Sequence, residues 1–345
     1  MSLPPSVFPR ALYVGVRLLL GSVTLALPVG ANAQPGVHQT AQAPASRPAK
    51  VAPYRGVLLL AHGGDPSWDA KVRAVAHDAG SRYPVEVAFG MASKRTIQDA
   101  IDRLEARGVD EIVAVPLFVS SHSSVVTSTE YLLGLRAEAP PFLAVFATMD
   151  HGAGGHAAHG ASPAADGHGQ AGAHAFDPMS PVRARVPIRM TRALDDDPIV
   201  ADILVDRAGA ISRDPSTEVV VLVAHGPVPD EDNVRWLEHM GRLAALVRER
   251  TRFVRIDYLT VRDDADEPVR AAATAGLRSV VGRGLAEGHR VLVVPLLLSY
   301  GGIEAGIRAR LEGLEVTISP QALLPDPRVT RWVVDCVDRS GASAR

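Results

Sequence analysis

Apolar residues along this chain fall into short unbroken runs, separated by stretches of helical period. Val57-Leu58-Leu59-Leu60-Ala61 is one such run, closed by His62-Gly63-Gly64. That is the pattern of a parallel strand buried on both faces as it leaves its sheet. A helical pattern from Pro66 to about Gly80 follows, then a second strand at Val85–Phe89. Ile97, Ala100, Ile101 and Leu104 recur at helical spacing before Gly108, which is placed to cap that helix. The third run, Ile112 to Val119, ends in Ser120-Ser121-His122. Strand, helix, strand, helix, strand predicts a doubly wound parallel α/β unit.

The pattern then repeats. Val219 to Gly226 restates Leu58 to Gly63, and Val291 to Ser299 restates Val113 to Ser120, again after a helix closed by a glycine, Gly288. Ala193-Leu194-Asp195-Asp196-Asp197-Pro198 is matched by Ala322-Leu323-Leu324-Pro325-Asp326-Pro327. Each leads into a helix carrying Val-Asp, at Val205-Asp206 and Val334-Asp335. Matching landmarks in the same order indicate an internal duplication. The predicted architecture is α/β, with two flavodoxin-like lobes, each a parallel sheet flanked by helices, at 53–212 and 217–341.

Three segments fall outside this pattern. Residues 1–33 read as an export signal: Arg10 and Arg17 precede an apolar stretch, Leu18 to Val29, and Ala31-Asn32-Ala33 has the form of a cleavage site. The apolar stretch is shorter than the ~20 residues a membrane span needs. Cleavage after Ala33 is therefore expected, giving a periplasmic or secreted protein with no stable span. Residues 34–52, rich in Ala, Pro and Gln, read as a disordered linker. Residues 151–177 are mostly Gly, Ala and His, too poor in large apolar side chains to pack a core, and form a flexible insertion in the first lobe. Its five imidazoles, His151, His156, His159, His168 and His174, are candidate accessory metal ligands; the alternative is a passive linker.

Composition removes several function classes. Among 345 residues the net charge is −2, with 5% aromatics, so neither the basic face nor the stacking platforms of a nucleic-acid binder are expected. The single cysteine, Cys336, cannot form an internal disulfide and lies in an apolar stretch, which predicts a buried, inert thiol. A metal site here must therefore use His and carboxylate.

His62 and His122 each follow the end of a predicted parallel strand, the edge where open α/β sheets bind ligands. Neutral imidazole suits zinc, cobalt, nickel and iron, and a two-His site with open positions suits an ion that is handed on. His225 repeats His62, with a structural and a functional role equally open. His38, His77, His239 and His289 have no partner at ligand spacing and read as surface residues. Asp65, Asp69, Asp230 and Asp232 follow the two His-Gly turns, where they favour helix N-termini.

Leu58 to Gly64 (LLLAHGG), Pro84 to Phe89 (PVEVAF) and Val115 to His122 (VPLFVSSH) resemble the sirohydrochlorin cobaltochelatase and ferrochelatase family, the ATP-independent class II chelatases. The resemblance covers both halves beyond residue 52. It implies a bilobed protein that inserts a divalent metal, cobalt, iron or nickel as substrate, into a tetrapyrrole such as sirohydrochlorin. The macrocycle would lie between the lobes with no nucleotide cofactor, and His62 and His122 would be the metal-binding and catalytic pair. Lys94, Arg95 and Arg262 are candidates to meet the substrate's carboxylates, with a solvated surface role as the alternative. Two departures stand out. Phe89-Gly90-Met91 occupies the place where family members often carry a carboxylate, with Glu86 and Glu130 as candidate substitutes. Tyr300-Gly301-Gly302 falls where the second half would repeat His122. The export signal and the Met91 departure support one rival, a non-catalytic exported metal or tetrapyrrole carrier; a third reading is an unrelated periplasmic binding protein, whose lobes are also α/β. Oligomeric state is not legible.

Overall fold

The computed structural model describes residues 53–149 and 177–342. The expected export signal and linker, and residues 151–176 of the His-rich insertion, lie outside the described residues. The first half runs β1 (Arg55–Ala61), α1 (Pro66–Ala79), β2 (Val85–Phe89), α2 (Lys94–Ala106), β3 (Glu111–Pro116), α3 (Ser124–Leu132), α4 (Phe142–Met149), β4 (Ile188–Met190) and α5 (Pro198–Ile211). After a short turn of 3₁₀ helix the second half runs β5 (Glu218–Ala224), α6 (Asp230–Arg250), β6 (Arg255–Thr260), α7 (Glu267–Ala286), β7 (Arg290–Leu296), α8 (Gly302–Arg310), β8 (Val316–Ile318) and α9 (Pro327–Ala342).

Two four-stranded parallel sheets result, ordered β2-β1-β3-β4 and β6-β5-β7-β8. In the first, Val57 lies opposite Val85 on one side and Val113 on the other. The winding therefore reverses between β1 and β3, the switch point at which such sheets open a ligand crevice. The predicted α/β class, parallel pairing and duplicated lobes are all present.

The central strands β1, β3, β5 and β7 bury both faces, which is why their apolar runs show no alternation. Val57, Leu59 and Ala61 face a core shared by both halves; Leu58 and Leu60 face the first half's own outer core, covered by α2. Val220, Leu222 and Ala224 of β5 enter the same shared core, while Val219, Val221 and Val223 face α7. Four helices fill the space between the sheets: α1, α5, α6 and α9.

Two of these helices cross over. Helix α5, which ends the first half in sequence, packs on α6 and β7; α9, which ends the second, packs on α1 and β3. The halves thus exchange their last helices. Arg207 of α5 fixes the exchange by donating to the carbonyls of Ala322 and Leu323, with Asp326 beside it. Cys336, on α9, is buried as expected, and burial pushes its thiol pKa up. Among the described residues no helix is long and apolar enough to cross a membrane.

Candidate metal centre

The turn after β1 is built around two glycines. Gly63 has φ +84°, and the Gly64 amide donates to Asp69 Oδ1 at 2.9 Å. Asp65 caps α1, accepting from the Ser67 and Trp68 amides, so the aspartates here serve the helix start as expected. His62 projects from this turn, exposed, with Nδ1 2.8 Å from the Gly63 carbonyl. A carbonyl can only accept, so in the neutral ring Nδ1 carries the proton and Nε2 the lone pair that a metal ligand needs.

His122 leaves the neighbouring strand at the same edge, where the two halves meet. Its amide donates to Ser120 Oγ at 3.1 Å, and its carbonyl accepts from Trp236 Nε1 on α6 at 2.5 Å. Its ring packs against His239, also on α6, with centroids 5.4 Å apart and planes at 48°. Burial, reinforced by repulsion from His239, lowers its pKa below the usual imidazole value; Asp195 and Asp232 pull the other way without cancelling the shift. At neutral pH the ring is neutral and able to bind a metal.

Asp195 organises this edge. Its backbone is zipped to the loop after β3, Leu194 to Phe118 O at 3.1 Å and Asp195 to Val119 O at 2.9 Å. Its carboxylate takes the Ser121 amide at 2.7 Å, the Ser121 hydroxyl at 2.8 Å and Arg192 Nε at 2.9 Å. His239 Nδ1 lies 3.3 Å away, an ion-pair distance that is too poorly aligned for a directed hydrogen bond. Burial alone would raise the Asp195 pKa. The His239 imidazole beside it and the hydrogen bonds from Ser121 and Arg192 outweigh burial and hold it at about 2. A φ of +45° at this buried, non-glycine residue is a further cost that the surrounding contacts must sustain.

The structure therefore corrects the reading of His239 as a surface residue. It is 6% exposed, because α6 turns its Trp236, His239, Met240 and Leu243 face inward. Asp195 and Asp232 join it as site residues the sequence reasoning missed. The available signal was the mismatch of Asp195 with Leu324 in closing segments that match at four of six positions.

The remaining candidates lie elsewhere. Lys94 Nζ reaches the Asp177 carbonyl and Ser180 Oγ, and Arg95 is exposed on the first turn of α2. Arg262 is folded back on its own loop, donating to the carbonyls of Pro227 and Val228 and pairing with Asp230. Glu86 is held by Arg103 and Arg107 on the α2 side of the sheet. Glu130 pairs with Arg136 and lines a cavity of about 470 Å³ together with Ser121, Val126, Met190 and Arg192. His225 Nε2 is 3.3 Å from Asp264, while Tyr300 shares its hydroxyl between the carbonyls of Ser319 and Gln321. Among the described residues no group of three or more His, Cys, Asp or Glu stands close enough to cage a metal ion.

The CbiX family model matches residues 56–210, which contain β1 to α5 with both His62 and His122. Across this first half the chain is similar to the CbiX family. The sirohydrochlorin cobaltochelatase of Methanothermobacter thermautotrophicus is 31% identical over 86 residues, 24% of this chain and 60% of that protein. Among solved structures, SirB from Bacillus subtilis with Fe3+ superposes with a TM-score of 0.53 at 16% identity, covering 84% of this chain and 96% of that one. The sirohydrochlorin chelatase SirB from Bacillus subtilis subspecies spizizenii in complex with cobalt gives 0.51 at 14% identity, over 84% and 95%. At these identities the structural likeness, which spans both halves, speaks for fold alone.

Proposed function

We propose that this protein inserts a divalent metal, cobalt or iron, into a tetrapyrrole of the sirohydrochlorin class. One observation carries the reading: His62 and His122 leave adjacent strands at the switch point of a CbiX-like lobe, and the second half faces His122 there. In this reading the ion is first taken by imidazole nitrogen; the free Nε2 of His62 and the neutral ring of His122 suit that step. As the metal enters the macrocycle, two N–M bonds replace two pyrrole N–H bonds and two protons leave. Asp232, whose pKa is raised by burial against a smaller opposing effect of His122, stands beside that transfer as a carboxylate of increased basicity. Arg136 and Arg192, at the cavity beside Ser121, offer guanidinium groups to the carboxylates of such a substrate.

The same reading assigns export to residues 1–33 and metal collection to the imidazoles of 151–177. A carrier function is the second reading, supported by Gly90 and Met91 in place of a carboxylate. An anaerobic absorbance assay separates the two. Sirohydrochlorin, and separately protoporphyrin, are mixed with cobalt(II) or iron(II), with and without protein. A rate above the protein-free control supports the chelatase. Saturable binding of metal or macrocycle without a rate supports the carrier.

A further inference from the structure

His239 has no part in the metal pair just described, yet it is the ring that His122 touches. Among the described residues, His122 makes its ring contact with His239 and none with His62. Building on the metal-insertion reading, we propose that His239 is a metal ligand contributed by the second half, binding the incoming ion together with His122 while Asp195 orients it.

The geometry fits a shared ion. At metal–nitrogen distances near 2.0–2.1 Å and tetrahedral to trigonal angles, two imidazoles on one ion have ring centroids about 5–5.5 Å apart. The observed separation is 5.4 Å. Of the His239 nitrogens, Nδ1 is the buried one that faces Asp195, leaving Nε2 as the atom able to reach an ion. Asp195 stands 3.3 Å behind Nδ1 of His239, the place from which a carboxylate fixes tautomer and ring direction in metal-bound histidines. Asp195 is itself anchored by Ser121 and Arg192, so it can hold His239 without being drawn into the ion's shell.

The duplication argues that this carboxylate is not a requirement of the fold. Leu324 occupies the corresponding position in the second half, with the same backbone bond, Leu324 to Leu298 O at 2.9 Å. The side chain is 2% exposed and apolar there. The fold is thus satisfied by an apolar residue, and in the first half a buried, positive-φ aspartate is maintained beside an imidazole. Two nitrogen ligands with open positions would hold an ion without caging it, which suits transfer.

The test is cobalt(II) titration of the full chain, read by calorimetry and by the visible d–d bands. His151, His156, His159, His168 and His174 are replaced by Gln throughout, so that the insertion does not compete. We expect His122→Ala and His239→Phe each to weaken cobalt binding at least tenfold, with Asp195→Asn weakening it roughly 10–100-fold. His239→Phe keeps the ring volume and removes both nitrogens, and the melting temperature of the metal-free variant verifies the fold. Cobalt binding unchanged in a folded His239→Phe protein but lost in His122→Ala and His62→Ala would overturn the proposal and leave the His62–His122 pair standing. Binding unchanged in all three would remove the metal centre, and with it the function proposed above.

Discussion

Strand for strand the two halves repeat each other. β1 and β5 both run into Ala-His-Gly with the glycine at positive φ, +84° at Gly63 and +77° at Gly226. The loops after β3 and β7 both zip to their closing segments, Asp195 to Val119 O and Leu324 to Leu298 O, each at 2.9 Å. What differs is the chemistry hung on that common backbone. In the first half the loop carries His122, and the closing segment carries Asp195. In the second, Gly301 stands at the place of His122 and Leu324 at that of Asp195. Tyr300 ties its hydroxyl to backbone carbonyls, and burial pushes its pKa up to about 12, which keeps it protonated. His225 turns toward Asp264. The second edge carries one histidine, His225, beside an aspartate, whereas the first brings His62 and His122 to the ends of adjacent strands. The second half faces the first edge through α6, which sets Trp236 and His239 against His122.

Exchanging the distinguishing residues should break this asymmetry. The largest effect on stability is expected from Leu324→Asp, which places a carboxylate in the apolar second edge with no counterpart to Ser121 and Arg192. Removing compensation from a buried charge costs about 3–5 kcal/mol, and chemical denaturation should show a loss of that order. A loss below about 1 kcal/mol would mean that the second edge can accommodate the charge, and that the polar character of the first is not special.

His62→Ala should lower the rate of metal insertion by about 100-fold, the scale of one lost proton-transfer or ligand group, while the melting temperature stays near that of the parent. His225→Ala, its counterpart, should leave the rate nearly unchanged. Equal losses in the two would make the halves functionally equivalent.

Asp195 sharpens the comparison through pH. Its folded pKa of about 2 lies below the ordinary aspartate value of 3.8. Its contribution to stability is therefore fully present above pH 4 and disappears as pH falls toward 2, and amounts to roughly 2 kcal/mol. Asp195→Asn should be less stable than the parent near pH 7 by about that amount, with the two curves converging near pH 2. A constant gap across this range would mean that the ionised carboxylate is not what stabilises the first edge. The smallest effect is expected from deleting 151–177, which should slow turnover at low metal concentration and leave it intact at saturating metal. Equal slowing at all concentrations would give the insertion a structural role.

Much of this was legible in the chain. Unbroken apolar runs ending in His-Gly or Ser-Ser-His located the central strands and their carboxyl edge, because strands buried on both faces have no other pattern to show. His62 and His122 were legible for the same reason. His239 was not: it sits on the inward face of α6 among Trp236, Met240 and Leu243, where one histidine is indistinguishable in sequence from an exposed one. Asp195 was hidden in a run of three aspartates, of which Asp196 pairs with Arg242 and Asp197 caps α5. The exchange of α5 and α9 was also beyond reach, since an apolar helix face does not specify which of two equivalent sheets it covers.

The most direct test of the asymmetry compares metallation of sirohydrochlorin by the parent, His122→Ala and His225→Ala proteins, with cobalt(II) under anaerobic conditions. The account predicts a rate above the protein-free control in the parent, its loss in His122→Ala and its retention in His225→Ala. Turnover that survives in His122→Ala, or is lost equally in His225→Ala, would contradict a single working edge in the first half.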